Sequence, residues 1–171
     1  MEFRKAVEAD LDIIKGLYEG SFPVEERRPW DDFAARALDG NPYFNVSVAQ
    51  KDGRIVGFIS TWRLPTALYV EHFAVDSAMR GQGIGGEMID RLVASTTLPL
   101  ILEVEHPDNE MARRRIDFYR RHGFSVVEEV DYVPPPYGRN LPEVPMLLMS
   151  TRALEDVDTD IRLLHQIVYN Q

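Results

Sequence analysis

The segment Arg80–Gly86 (RGQGIGG) constrains the fold more than any other, because four of the six positions 81–86 are glycine and lie between two ordered elements. The apolar stretch Leu68–Val75 before it predicts a β-strand, and the apolar spacing from Ile84 to Val93 after it predicts a helix. Glycines at such a turn let the main chain approach a ligand closely and present several N–H groups in one direction. The positive end of the helix dipole adds to them, so the segment predicts an anion site, most naturally for a pyrophosphate.

The residues alone leave other interpretations of this segment open. The glycines could serve only to make a turn, although four in six positions exceed what one turn requires. Gly81, Gly83 and Gly86 also satisfy the G-x-G-x-x-G pattern of dinucleotide-binding folds, with Glu103 near its acidic position. In those folds the glycines follow their strand almost directly, whereas Asp76–Arg80 intervenes here. An oxidoreductase that binds a nicotinamide dinucleotide is therefore the less favoured alternative.

Hydrophobic periodicity predicts one mixed α/β domain over residues 1–171. Antiparallel strands come first, a strand–helix–strand unit with parallel strands lies in the middle, and further strands follow. The predicted strands are residues 2–6, a hairpin over 43–62 that turns at Asp52-Gly53, and residues 68–75, 99–104, 124–133 and 146–149. The predicted helices have their apolar faces within residues 11–18, between Pro29 and Gly40, and within residues 84–93, 112–119 and 157–168.

The composition argues against several classes of function. The chain has no cysteine, which excludes disulfides, thiolate metal sites and a cysteine nucleophile, and we expect no metal. A net charge of -9 disfavours nucleic acid as a partner. Charged residues interrupt the N-terminal segment, and no apolar run approaches the roughly 18 residues of a membrane helix. We therefore expect neither a signal peptide nor a membrane partner, and a cytoplasmic location.

Two motifs resemble those of a known family. RGQGIG at Arg80–Gly85 follows an apolar strand end, and FYRRHGF lies further on at Phe118–Phe124. Together they resemble the signature of the GNAT superfamily of N-acetyltransferases, and the resemblance covers roughly Arg4 to Met149. It implies an α/β (mixed α+β) fold with a largely antiparallel sheet of six to seven strands, helices on both faces and a central βαβ unit. It also implies acetyl-CoA as the co-substrate and direct attack of a primary amine on the thioester.

The resemblance also implies where the cofactor binds. The strand end Phe73, Ala74 and Val75 would pair its main chain with the pantetheine arm, and an N–H near Val75 would polarise the thioester carbonyl. The pyrophosphate would bind the loop formed by Arg80, Gly81, Gln82, Gly83, Ile84, Gly85 and Gly86, with Arg80 adding charge. Many relatives carry an asparagine where this chain has Ala112, so Asn109 takes that role only if the helix begins early.

Acetylation of an amine requires that the ammonium lose a proton, which costs about 4–5 kcal/mol at neutral pH because its pKa is near 10.4. Glu103 matches an acidic residue of the family and is our first candidate for the base. Glu71 and His72 are alternatives, and strand alternation predicts that they point to opposite faces. Tyr119 matches the family tyrosine that protonates the departing thiolate. The alternatives without a catalytic role are that Glu103 is only a solvated carboxylate and that Tyr119 is only a core residue.

We expect the acceptor, a small-molecule amine or a peptide, to bind between the first two helices and the loop Tyr132–Tyr137. The segment Ser21–Arg27 is the expected lid, in which Glu25 and Glu26 could bind a cationic amine. A non-catalytic sensor that binds CoA or acyl-CoA on the same fold is the alternative function. Some members of the family pair through sheet edges, and the sequence leaves both a monomer and a homodimer open.

Overall fold

The computed structural model describes residues 1–170, which are organised around one seven-stranded sheet in the order β1-β2-β3-β4-β5-β7-β6. The strands are β1 (Glu2–Lys5), β2 (Phe44–Lys51), β3 (Arg54–Arg63), β4 (Leu68–Val75), β5 (Leu100–Glu105), β6 (Ser125–Val126) and β7 (Met146–Ser150). Neighbouring strands are antiparallel except for β4 and β5, which are parallel. The expected mixed, largely antiparallel sheet with a central βαβ unit is confirmed.

Helices cover both faces of the sheet, as expected. They are α1 (Leu11–Ser21), α2 (Trp30–Leu38), α3 (Ile84–Ala94), α4 (Glu110–Arg121) and α5 (Val157–Val168), with short 3-10 turns at Glu8–Asp10, Val24–Glu26 and Ser77–Met79. Helices α1, α2 and α5 pack on one face, and α3 and α4 pack on the other. Among residues 1–170, none of the helices has the length and apolar character needed to cross a membrane.

Each face carries its own apolar core. Tyr18 and Phe33 are almost completely buried under the first group of helices, and Ile89 and Ile116 are buried under the second. Each fully buried side chain of this kind contributes about 1.5–3 kcal/mol relative to an exposed one. The two cores hold the helices against a common sheet, so loops from both faces meet at one end of it.

The predicted strand over residues 124–133 is wrong for most of its length. Only Ser125–Val126 pairs with β7, and Tyr132 makes an isolated bridge to Met146. The chain between them includes Glu129, whose φ of 61° is incompatible with an extended strand. The apolar residues of this segment therefore pack as loop side chains, and the loop is free to reach across the sheet end.

A β-bulge in β4 overturns the expected alternation of Glu71 and His72. Ser60 of β3 lies opposite His72, but the next residue, Thr61, lies opposite Val70, so Glu71 has no partner on β3. An extra residue of this kind shifts the strand phase by one position. Both side chains consequently point to the face of α1, α2 and α5, and His72 Nδ1 lies 3.6 Å from Glu71 Oε2.

Strands β4 and β5 separate after three residue pairs. They pair from Leu68 with Leu100 to Val70 with Leu102. Beyond that point β4 continues along β3 to Val75, whereas β5 continues along β7 to Glu105. The β5-facing edge of β4 from Glu71 to Val75 thus lacks a strand partner among residues 1–170, and a gap opens through the sheet.

Candidate active site

A cleft of about 1260 Å³ passes through this gap and opens to both faces of the sheet. On the face of α3 and α4 it is lined by the glycine-rich loop and by Phe118 and Tyr119. On the opposite face it is lined by Phe22, Glu25 and Glu26, which follow α1, and by the loop Pro134–Tyr137. We call these the cofactor half and the acceptor half. Glu71, His72 and Glu103 line the cleft where β4 and β5 diverge.

The glycine-rich loop has the main-chain geometry of an anion site. Gly81 and Gly83 both have a φ of 76°, a conformation that costs other residues about 1–2 kcal/mol. Gly83 is also the N-cap of α3, and the first main-chain bond of the helix runs from the Glu87 N–H to its carbonyl at 3.0 Å. Within residues 1–170, the N–H groups from Gly81 to Gly86 make no main-chain hydrogen bond, so they are free to bind a ligand.

The last two glycines serve close packing instead of a special dihedral angle. A Cβ on Gly85 would lie 3.3 Å from the Phe73 ring, and one on Gly86 would lie 2.8 Å from the His122 ring. His122 is in turn held by its Nδ1, 2.7 Å from Asp90 Oδ1. The bare surface of α3 therefore lets the helix start sit directly against β4 and α4.

The other predicted cofactor residues divide into two groups. Five of these predicted residues line the cleft: Phe73, Ala74, Val75, Arg80 and Ile84. Gln82 and Asn109 are not part of the cleft lining. The Gln82 carboxamide accepts a hydrogen bond from Lys51 Nζ at 3.0 Å. Asn109 is the N-cap of α4, where its carboxamide oxygen accepts from the Ala112 N–H at 2.9 Å, so its side chain is already committed to the helix.

Glu103 is a partly exposed carboxylate surrounded by tyrosines. Its Oε1 accepts from the Tyr132 hydroxyl at 2.6 Å, and the Tyr169 hydroxyl lies 3.2 Å from Oε1 and 3.1 Å from Oε2. Burial raises the pKa of Glu103 to about 7, and the hydrogen bonds from these two tyrosines oppose that rise. A carboxyl group with this pKa exchanges its proton near neutral pH, as a general base must.

Glu71 is held in the opposite state. Its side chain is fully buried, and Arg28 donates to its Oε1 at 2.9 Å from Nη2 and 3.2 Å from Nε. The Trp62 indole N–H donates to it at 2.9 Å and the Tyr137 hydroxyl at 3.0 Å. Burial alone would raise its pKa, but the charge of Arg28 and the hydrogen bonds lower it to about 2. Glu71 is therefore a permanently charged anion at neutral pH and a weak proton acceptor.

Arg28 connects that anion to four other parts of the chain. Its Nη1 donates to Asp32 at 2.7 Å, and its Nη2 donates to the Val168 carbonyl at the end of α5 at 2.6 Å. The guanidinium carbon lies 5.3 Å from the ring centres of both Trp62 and Tyr137. With 5% of its side chain exposed, Arg28 is one of the few buried charges. Such a charge is stable only because each donor direction finds a partner.

Tyr119 lies on the cofactor half of the cleft. It is 8% exposed and packs against Phe118 and Phe124, with ring centres 5.3 and 5.5 Å away. Burial raises its pKa to about 12. Among residues 1–170, its hydroxyl has no hydrogen-bond partner, which leaves the proton available to a group in the cleft.

Sequence reasoning missed Arg28, Tyr132 and Tyr169 as site residues. Tyr132 and Tyr169 are 29 and 66 residues away from Glu103 in the chain, and Arg28 is 43 residues away from Glu71. Tyr169 follows directly after the final helical pattern, a position without any local signature. The loop Tyr132–Tyr137 and the segment Ser21–Arg27 were predicted near the acceptor, and both contribute residues to the cleft lining.

Comparison with known proteins shows similarity to one family. Residues 42–126 match the family model of the acetyltransferase (GNAT) domain. A solved Bacteroides thetaiotaomicron protein assigned to the GNAT acetyltransferases is 36% identical with a TM-score of 0.90, and the match covers 100% of this chain and 99% of that one. The chain is also 33% identical over 67 residues to YjbC of Bacillus subtilis (strain 168), assigned as an acetyltransferase; this covers 38% of the chain and only 34% of that protein.

A more distant likeness shows the fold alone. The structure of Arabidopsis thaliana Naa50 in complex with the bisubstrate analogue CoA-Ac-MVNAL is 20% identical with a TM-score of 0.65, and the match covers 90% of this chain and 98% of that one. The similarity extends well beyond the residues that the family model matches. The whole described sheet, including β1 and β7, therefore belongs to one recognisable architecture.

Proposed function

The chain belongs to the GNAT acetyltransferase family, and from that premise we propose that it is an N-acetyltransferase that moves the acetyl group of acetyl-CoA to a primary amine. One observation carries the proposal. The gap between β4 and β5 has free loop N–H groups on one side and a carboxyl group with a pKa of about 7 on the other. Transfer from a phosphate-bearing donor to a protonated amine requires this combination.

The loop supports binding of the coenzyme A pyrophosphate. Each hydrogen bond to a charged group contributes about 1.5–3 kcal/mol, whereas the helix dipole contributes about 0.3–1 kcal/mol at an exposed site. Several N–H groups between Gly81 and Gly86 therefore outweigh the dipole. The unpartnered edge of β4 from Phe73 to Val75 would pair with the pantetheine arm as an added strand would.

Acetyl-CoA supplies a thioester, and the residues of this chain manage the protons around it. We assign Glu103 as the base that takes the proton of the acceptor ammonium. With a pKa of about 7 it is ionised in roughly half of the molecules at pH 7, and the tyrosine hydroxyls keep its oxygens oriented. Glu71, with a pKa of about 2, serves as the fixed anion that positions Arg28 and Tyr137.

Tyr119 has the role of a hydrogen-bond donor to the departing thiolate. Its pKa of about 12 keeps the hydroxyl protonated throughout the physiological range. A thiol has a pKa of about 8.5, so complete proton transfer from Tyr119 would be uphill by about 5 kcal/mol at 1.36 kcal/mol per unit. A hydrogen bond that stabilises the sulfur, followed by protonation from solvent, avoids that cost. A sensor that only binds the cofactor has no need for either Tyr119 or a base.

The test is release of free thiol from acetyl-CoA in the presence of pooled primary amines, together with calorimetry of coenzyme A binding. We expect turnover in the wild type, and we expect Glu103→Gln to lower kcat/KM by about 100-fold or more without changing coenzyme A affinity. Glu128→Gln is the control, because Glu128 is exposed and is not part of the cleft lining. Full activity of Glu103→Gln would contradict the assignment, and binding without turnover would favour the sensor.

A further inference from the structure

The walls of the acceptor half are apolar and closely spaced. Phe22 lies on one side, with its ring centre 4.9 Å from that of His72. Tyr137 lies on the other, with its ring centre 6.0 Å from His72. The run Pro134–Pro136 continues this wall, and all of these residues except His72 are half-buried. A space of this kind accepts a flat or aliphatic body and excludes water from around it.

The proline run also limits what can pair with this wall. Proline has no main-chain N–H, so three consecutive prolines offer a peptide no donor for strand-like pairing. A peptide acceptor gains specificity and affinity from main-chain hydrogen bonds to an extended partner. The wall instead presents ring surface, which suits a small molecule whose body is itself apolar.

Charge divides between the two halves of the cleft. The cleft-lining arginines belong to the loop, α3 and α4, on the cofactor half; they are Arg80, Arg91, Arg114, Arg115 and Arg121. Within the described residues, the lining of the acceptor half carries Glu25, Glu26, Glu71 and Glu103 and neither lysine nor arginine. Arg28 neutralises Glu71 from behind. The acceptor half thus has a negative potential that attracts cations and repels carboxylates.

The Glu26 carboxylate is the one in this half whose negative charge has the least support from hydrogen bonds or positive charges. It is half-buried, and its side chain makes no hydrogen bond or ion pair with any residue in the range 1–170. Burial raises its pKa, and the charge of Glu105 raises it further. Arg115 opposes that rise, but its guanidinium is already paired with Glu105 at 3.2 Å. A bound ammonium group would supply the charge that Glu26 lacks.

His72 is a buried part of the wall of the acceptor half. The ring is 2% exposed and lines the cleft. Its Nε2 lies 2.9 Å from the Glu26 carbonyl, which can only accept, so Nε2 carries a proton. Its Nδ1 is buried without a hydrogen-bond partner in the described part of the chain, since Glu71 Oε2 is 3.6 Å away. His72 thus fills the wall between the Glu26 main chain and Glu71, with its Nδ1 closed off from the open cleft and facing the Glu71 carboxylate.

Building on the proposed acetyl transfer, we propose that the acceptor is a small primary amine with an apolar body and no carboxylate, which binds in the acceptor half that Glu26 and Glu103 line. In the reaction the amine nitrogen forms a bond to the acetyl carbon and the carbon–sulfur bond of the thioester breaks. One ammonium proton passes to Glu103 before the attack, and the nitrogen loses its second proton to solvent as the carbon–sulfur bond breaks. Coenzyme A leaves as a thiolate, which accepts a hydrogen bond from Tyr119 and is protonated by solvent.

The test compares acceptors that differ only in a carboxylate: phenethylamine against phenylalanine, and tryptamine against tryptophan. Placing like charges together costs several kcal/mol, and about 1.4 kcal/mol corresponds to tenfold. We therefore expect kcat/KM to be at least about tenfold higher for the carboxylate-free member of each pair. Equal or faster acetylation of the amino acids would overturn the inference while leaving the acetyl transfer intact. A phenylalanyl tripeptide that reacted faster than phenethylamine would overturn it in favour of a peptide acceptor.

Two variants test whether Glu26 causes this preference for acceptors without a carboxylate. Glu26→Gln should narrow the ratio between phenethylamine and phenylalanine at least threefold, because it removes the uncompensated charge. The control is Glu19→Gln, which removes one exposed charge from the neighbouring helix α1. Glu19 does not line the cleft, so this variant should leave the ratio unchanged. An unchanged ratio in Glu26→Gln would refute its role. If coenzyme A binds but no acceptor turns over in the wild type, the proposed acetyl transfer itself fails, and this inference with it.

Discussion

Removing a single hydroxyl from Tyr169 should move the pH dependence of the reaction. The hydroxyl is 3.2 and 3.1 Å from the two oxygens of Glu103, a long and shared hydrogen bond. A hydrogen bond to a charged group contributes about 1.5–3 kcal/mol, and the length of this one favours the lower end. At 1.36 kcal/mol per unit, its loss raises the pKa of Glu103 from about 7 to about 8. The sign is upward because the hydroxyl stabilises only the ionised carboxylate.

The consequence for activity depends on pH. At pH 7 the ionised fraction of Glu103 falls from about one half to about one tenth, so Tyr169→Phe should lose about fivefold in kcat/KM. Near pH 9.5 both enzymes are almost fully ionised at this group, and the difference should vanish. Tyr132 donates over 2.6 Å, so Tyr132→Phe should shift the acidic limb further, by about two units.

The assay is kcat/KM against pH from 5.5 to 10 with the best amine and saturating acetyl-CoA, because this quantity reports the groups of the free acceptor site. Tyr137→Phe is the matched control, since its hydroxyl donates to Glu71 at 3.0 Å and not to Glu103. Tyr137→Phe can change KM, but the pKa of the acidic limb of its kcat/KM profile should stay near 7. A Tyr169→Phe enzyme that lost the same factor at every pH would refute the reasoning, because a merely structural defect has no pH signature.

Two further perturbations test the loop and the buried ion pair. Gly83→Ala should lower the free energy of unfolding by about 1–2 kcal/mol and weaken coenzyme A binding in calorimetry, because its φ is 76°; Gly16→Ala, in open space on α1, should raise stability by about 0.5–1 kcal/mol and leave binding unchanged. Equal effects of the two would contradict the loop geometry. Glu71 has a folded pKa of about 2 against 4.5, so its ion pair with Arg28 stabilises the fold above pH 4.5 and is lost as the pH falls towards 2. Denaturant titrations should show about 3 kcal/mol of acid-dependent stability in the wild type that Glu71→Gln lacks; parallel curves for the two would refute the shift.

Local sequence patterns were enough to predict the elements around the glycine-rich loop and the ends of two helices. The strand before the loop, the amphipathic helix after it and the four glycines between them lie within one short stretch, and their interpretation as an anion site needs only the main-chain properties of glycine. Pro29 and Gly40 bracket α2, and Gly123 ends α4 with a φ of 87°, because these residues restrict or extend the local φ range. The family motifs are likewise contiguous.

The acidic residues show where local information ends. Glu71 and Glu103 are the same residue type on adjacent strands, yet the pKa of one is lowered to about 2 and that of the other is raised to about 7. The difference arises because Arg28 contacts the first, while only neutral tyrosine hydroxyls contact the second. The bulge that turns Glu71 and His72 to one face follows from pairing with β3 and has no signature within β4. The sequence by itself identified Glu71 and Glu103 as candidate residues. Only the tertiary structure decided their protonation and brought Arg28, Tyr132 and Tyr169 into contact with them, because electrostatic energies depend on distances through space and on burial.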